Sequence, residues 1–359
     1  MCADPRLHRT PLARTRRHAQ RGVSLVELMV GLTVSLIIGI AAAGSAVMFT
    51  ASQRQGIGVG GVAVNINTAL AALKNDASTG GLGFFGESRF LCASLNLGTT
   101  TSTLWDGTAF APVTLTRTGT NDAIDVLQST RVEGGATVAL AAPTSGADAQ
   151  LKSYLPTVVG DAVLISPATP TMAEPCLVRS VTATAAGTPD TPQLLTFGGS
   201  GAYNAGDFAT NPTYNTGGVT LLGQLGWQRY RLQGTNLLLE RPIAGASAVL
   251  ARNVMALRAQ YGVSAPPPAK TLQNWVDATG GWASLTPATI AQVRAVRVGV
   301  VTRSPQREKP DENGNCTAST ALPQLFGAAI TPDVTDWQCY RFRTAMVVIP
   351  MRNIVMGIP

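Results

Sequence analysis

The chain has 359 residues, with 27 lysines and arginines against 20 aspartates and glutamates, a formal net charge of +7, and two histidines. Both histidines, His8 and His18, and +5 of that charge lie before residue 23. The remainder therefore lacks the imidazole that Ser-His-Asp or Cys-His catalysis and a His-ligated metal site require, and its small surplus of charge gives no reason to expect nucleic acid as a partner.

The leader, residues 1–22, sets Arg6, Arg9, Arg14, Arg16, Arg17 and Arg21 against a single acid, Asp4. Glu27 then stands at the edge of an uncharged apolar run from Leu28 to Phe49, in which Thr33, Ser35 and Ser45 are the only hydroxyls. As a helix at about 1.5 Å per residue this run reaches roughly 33 Å, the thickness of a bilayer core. The basic flank keeps the N-terminus cytoplasmic and sends the rest of the chain across. A secretory cleavage site would follow the run, but Gly44-Ser45-Ala46 lies inside it. A carboxylate at a membrane centre costs about 2.5–3.5 kcal/mol and calls for a partner. From position alone, Glu27 is either such a paired group or an interfacial residue among lipid headgroups.

Gly22 followed by Val23-Ser24-Leu25-Val26-Glu27-Leu28-Met29-Val30 resembles the class III signal of type IV prepilins. The resemblance implies that a membrane prepilin peptidase cuts after Gly22 on the cytoplasmic face, methylates the new amine of Val23 and leaves the apolar helix in place. It makes Glu27 the family's fifth-position glutamate, an assembly residue. Val23 departs from the phenylalanine usual at the first mature position.

Beyond the span, Val59, Val62, Ala63, Ile66, Ala69, Leu70, Leu73 and Ala77 recur at spacings of three and four, which predicts an amphipathic stalk helix ending near residues 78–81. Gly56, Gly58, Gly60 and Gly61 each lower helix propensity by up to about 1 kcal/mol and mark where it would bend or melt. The same glycines match G-x-G-x-x-G formally, but a fingerprint that follows a membrane helix lacks the strand–turn–helix setting of a dinucleotide site.

From about residue 110, short β-branched runs alternate with Gly, Pro, Asn and Asp. Residues 113–117, 123–131, 162–166, 176–184, 227–232, 237–241, 254–263, 293–304 and 340–353 read as strands. The fold class is α+β: a long N-terminal membrane and stalk helix, 23–79, followed by a large, mainly antiparallel β domain, 80–359. Asp122 and Asp125 read as a turn and a strand residue. Arg294, Arg297, Arg341 and Arg343 read as an exposed sheet face, and the segments 197–218 and 264–275 as solvated connections. Trp227, Trp275, Trp282 and Trp337 read as core residues, and Asp311 to Asn315 as a turn near Cys316.

Cys2 belongs to the leader, which leaves Cys92, Cys176, Cys316 and Cys339 outside the cytoplasm, where disulfides form. Of three possible pairings the reading favours Cys92 with Cys176 and Cys316 with Cys339, the second because its loop is short and rich in turn residues. No C-x-x-C spacing supports zinc. No catalytic residue, cofactor or metal is expected.

The internal segments "GGLGFFG" at 80–86, "GDAVLISP" at 160–167, "ALRAQYGV" at 256–263 and the closing "YRFR" and "PMRN" resemble the PilW group of minor pilins. That resemblance implies a low-copy subunit that helps to initiate the pilus and sits near its tip with other minor pilins and an adhesin. It implies passage from the bacterial inner membrane, with the C-terminal domain periplasmic, to the cell surface. A minor pseudopilin of a type II secretion system shares the signal and the helix. A membrane-anchored hydrolase built on Asp122 and Asp125 is the third reading.

Overall fold

A computed structural model describes residues 24–84, 91–100, 103–129, 137–185, 191–205 and 208–352, without the side chains of 47–64. Compact units divide the chain at 1–56 and 57–359. Helical backbone, α1, spans Leu25–Ser78. It continues through residues 56–61, where the glycine spacing predicts a bend or a melted turn: each glycine weakens the helix without removing a backbone hydrogen bond.

In the second unit the last turns of α1 bury Ile66, Ala69, Leu70, Leu73 and Ala77, the one face that the three-and-four spacing defines. The helix stops at a glycine pair. Gly81, at φ +80°, takes the left-handed conformation that ends a helix, and its N–H donates to the Leu127 carbonyl at 2.8 Å. Thr79 Oγ1 adds a hydrogen bond to Gln128 Oε1 at 2.5 Å, so the helix end is sewn to a strand.

That strand, Asn121–Ser129, lies in an antiparallel sheet with Val113–Thr118, Leu225–Gln233, Asn236–Arg241 and Ala246–Ala251. The sheet buries both faces. Leu115, Ile124, Val126, Tyr230 and Leu239 join the helix residues in one core, while Leu127, Leu225 and Trp227 join a second. A C-terminal sheet, in spatial order Asn274–Asp277, Val254–Val263, Val293–Arg303 and Phe342–Pro350, completes the first core through Leu257, Tyr261, Val296, Val298 and Ile349. A six-stranded sheet is mixed: Ser94–Gly98 runs parallel to Cys176–Ser180, with Leu95 opposite Cys176, and its other pairings are antiparallel. A three-stranded sheet, Asp148–Leu151, Gln193–Thr196 and Ala183–Ala185, packs over Leu151, Leu155 and Leu195. The fold is thus an N-terminal apolar helix with a large, mostly antiparallel β domain.

Three sequence readings are corrected. The run 176–184 is two strands, Cys176–Ser180 and Ala183–Ala185, in different sheets. The Val181 N–H turns to the Asp161 carbonyl and the Thr182 N–H to the Thr196 carbonyl, which carries the chain from one sheet to the other. Within 197–218, Tyr203, Phe208 and Tyr214 are buried, so this stretch is packed down and not merely solvated. The strands Ser94–Gly98, Thr103–Ala109, Gly217–Gly223 and Ala246–Ala251 lie where glycine and polar residues weaken the strand pattern.

Candidate assembly site

From Leu25 to Ala46, 22 residues of α1 are long and apolar enough to cross a membrane, and none of this stretch is buried inside the protein. Leu25 is 77% exposed and Ile37 and Ile40 67% each, an apolar surface far larger than soluble monomers leave open. Its hydroxyls are satisfied within the helix. Thr33 donates to the Val30 carbonyl at 2.9 Å, Ser35 to Gly31 at 2.7 Å, and Ser45 to Ala41 and Ala42 at 3.0 Å. Inside lipid every polar group needs such a partner. The stretch carries one charged side chain.

That side chain is Glu27, in the first turn of α1 and exposed. The N–H groups of Glu27 and Leu28 both donate to the Ser24 carbonyl, at 3.0 and 3.1 Å, which opens the helix just ahead of the carboxylate. An acid there faces the positive end of the helix dipole. Gly22 and Val23 lie outside the described residues. The segment offers an apolar rod for lipid or neighbouring helices, with one negative charge at its entry.

The carboxylates of a hydrolase reading do not converge. Asp122 lies within a strand, where the sequence suggests a turn, and its side chain is fully buried. It accepts from Arg117, and from the Ala259 N–H at 2.7 Å, while the neighbouring Asn121 accepts from the Leu257 N–H at 3.0 Å. These bonds satisfy the edge of the C-terminal sheet where Asn274–Asp277 is too short to cover it. Asp125, three residues on, occupies the opposite sheet face and accepts from Trp227 Nε1 at 2.8 Å and Arg229 Nε at 2.7 Å. Burial pushes its carboxyl above the usual range, against the lowering effect of Arg229 and Trp227. Tyr230 donates its hydroxyl to Asp76 at 2.6 Å and ties α1 to the sheet. Burial, followed by Asp76, raises the phenol and keeps its proton in place.

The arginines do not form one exposed face. Arg294 is 7% exposed, donates to the carbonyls of Val293 and Ala269, and is lowered by burial. Arg297 lies over the rings of Trp275 and Phe326, at 4.7 and 4.4 Å, and donates to Gln260. Arg341 pairs with Glu308, and Arg343 is exposed. Of the tryptophans, Trp227 is buried against Trp105 and Trp282 packs beside Tyr261, while Trp275 and Trp337 are half-buried. Asp311 accepts from the N–H groups of Asn313 and Asn315 as the closed turn expected there. Disulfides join Cys92 to Cys176 and Cys316 to Cys339, with Cα–Cα separations of 5.6 and 4.7 Å. The first staples the parallel pair Ser94–Gly98 and Cys176–Ser180.

Residues 17–43 match the prokaryotic N-terminal methylation motif, and residues 229–353 match the family of type IV pilus-assembly protein W. A type IV-like pilin from Thermus thermophilus aligns over 81% of this chain and 97% of its own, at 9% identity and a TM-score of 0.33. No curated protein matches the chain.

Proposed function

We propose that this chain, a type IV pilin-like protein with a PilW domain, is a minor pilin that helps to initiate pilus assembly and sits near the pilus tip. The observation that carries the reading is the uncovered apolar rod of 22 residues, opened by the lone carboxylate of Glu27 and continued into a disulfide-bearing β domain. Prepilin peptidase cuts after Gly22, and the amine created at Val23 stands four residues before Glu27. In the inner membrane the amine of a neighbouring pilin neutralises Glu27, and the helices bundle. The β domain faces the periplasm, where its disulfides form, and meets other minor pilins and a tip adhesin. The chain acts by assembly and performs no catalysis.

The test combines processing with incorporation. Intact mass of the membrane-extracted protein is expected to show Val23 as the N-terminus. Glu27→Ala and Glu27→Gln are expected to be cut and inserted normally, yet to co-purify with minor-pilin partners at a small fraction of the unmodified level, because the neighbour's amine is left buried without its counter-charge. Full-level co-purification of both variants overturns the pairing. A leader still attached in cells with active prepilin peptidase overturns the minor-pilin assignment.

A further inference from the structure

The strand Phe342–Pro350 closes one side of the C-terminal sheet. It pairs with Val293–Arg303, and among the described residues no strand lies on its other side. The hydrogen bond from the Met351 N–H to the Arg294 carbonyl, at 2.9 Å, sets the phase of this ladder. By antiparallel alternation, residues 343, 345, 347 and 349 turn their backbone groups toward the neighbouring strand, and Thr344, Met346 and Val348 turn theirs outward. Met346 is 57% exposed and Val348 46%. The Thr344 hydroxyl donates to the Gln324 carbonyl at 3.4 Å, so a small hairpin stands at one end and the open stretch runs over 345–350.

An open, apolar edge of this length is a template for another strand, and proteins ordinarily blunt such edges with bulges, inward charges or a covering segment. Here Pro350 guards only the far end. Arg343 and Arg352 flank the apolar stretch, both exposed, and neither makes an ion pair among the described residues. No acidic residue occurs in 342–352. A second copy laid along this edge would gather four arginines and no acid in one seam, and like charges across paired strands oppose pairing.

We propose that this edge receives an extended segment of a different protein, apolar at its centre and acidic at its ends, which adds as a further strand. Its backbone pairs with Met346 and Val348, its apolar side chains lie beside theirs, and its carboxylates meet Arg343 and Arg352. The inference stands on the geometry of the sheet and does not depend on the chain's place in a pilus.

The probe is a fluorescein-labelled peptide of sequence Glu-Thr-Val-Thr-Val-Thr-Glu, compared with its lysine-ended counterpart, titrated into the full-length chain in detergent micelles. The acidic peptide is expected to bind and to protect the Met346 and Val348 amides from hydrogen exchange, and the lysine-ended peptide to bind roughly tenfold more weakly or worse. Val348→Pro deletes an outward N–H and leaves the ladder to Val293–Arg303 in place, so it is expected to weaken binding by about tenfold. Arg343→Gln, on an exposed side chain, is expected to keep the fold and narrow the preference for the acidic peptide. The proposal is overturned if the acidic peptide does not bind at millimolar concentration, if both peptides bind alike, or if protection falls on other amides. It is also overturned if sedimentation shows a dimer of the chain alone that Met346→Lys abolishes, since a second copy would then be the occupant.

Discussion

Asp125 accepts from Trp227 and Arg229 and still carries a raised pKa, because burial outweighs both hydrogen bonds. The folded state therefore holds the Asp125 proton to a higher pH than the unfolded chain, whose carboxyl titrates near about 3.9. Stability contributed by protonated Asp125 is fully present below that value and is lost as pH rises through the raised folded value. Asp125→Asn removes this titration while keeping an acceptor for Trp227 or Arg229. Urea unfolding of both proteins in the same micelles, from acid to neutral pH, is expected to show the advantage of the unmodified protein shrinking as pH rises. A constant difference would mean that Asp125 does not titrate abnormally. Asp122 plays another part, since it holds Arg117 and the Ala259 N–H across the seam between two sheets. In sequence, Asp122 reads as a turn residue and Asp125 as a strand residue; the fold puts both in one strand, and the sheet contacts set their separate roles.

At the scale of the element, the C-terminal turns of α1 are held by packing, because glycines precede them and short isolated helices are marginal in water. Leu73 is 1% exposed in the core shared with Ile124, Tyr230 and Leu257. Leu73→Ala is expected to cost about 2–5 kcal/mol, which chemical denaturation of the full-length chain would measure. A loss below about 1 kcal/mol would show that the helix does not share that core. The helix face was legible from its spacing, the strands 113–117 and 254–263 from their alternation, and 237–241 from a short apolar run. Ser94–Gly98 was not legible: its five residues are all buried, and Asn96 occupies the interior only because it donates to the Thr210 carbonyl and accepts from the Gly107 N–H.

At the scale of the whole molecule, two disulfides close loops between residues 84 and 23 positions apart. Loops of this kind typically contribute about 2–4 kcal/mol each, so reduction is expected to lower the melting temperature clearly, with Cys92–Cys176 contributing the larger part. Differential scanning of oxidised and reduced protein measures this, and an unchanged transition would mean that the bridges constrain nothing in the unfolded chain. The open edge at Phe342–Pro350 belongs to this scale as well. The alternation of "FRTAMVVIP" marks a strand, but only the spatial order of the sheet leaves one side of it uncovered.

Local composition by itself determined the character of the N-terminal segment. A basic N-terminal stretch, a glycine, a lone carboxylate and a long uncharged run act through hydropathy and charge, which need no distant residue to be read. The absence of histidine beyond residue 18 narrowed the chemistry in the same direct way. Tertiary structure alone decided which faces of the sheets are buried and that Asp122 and Asp125 lie on opposite faces. It also decided that Arg297 is clamped between Trp275 and Phe326, and that the segment 197–218 is drawn into a core by Tyr203, Phe208 and Tyr214. The physical reason is that a charged or aromatic side chain has no fixed role along the chain. Its role is set by which partners the sheets bring within hydrogen-bonding or packing distance, and those partners lie tens to more than a hundred residues away in sequence.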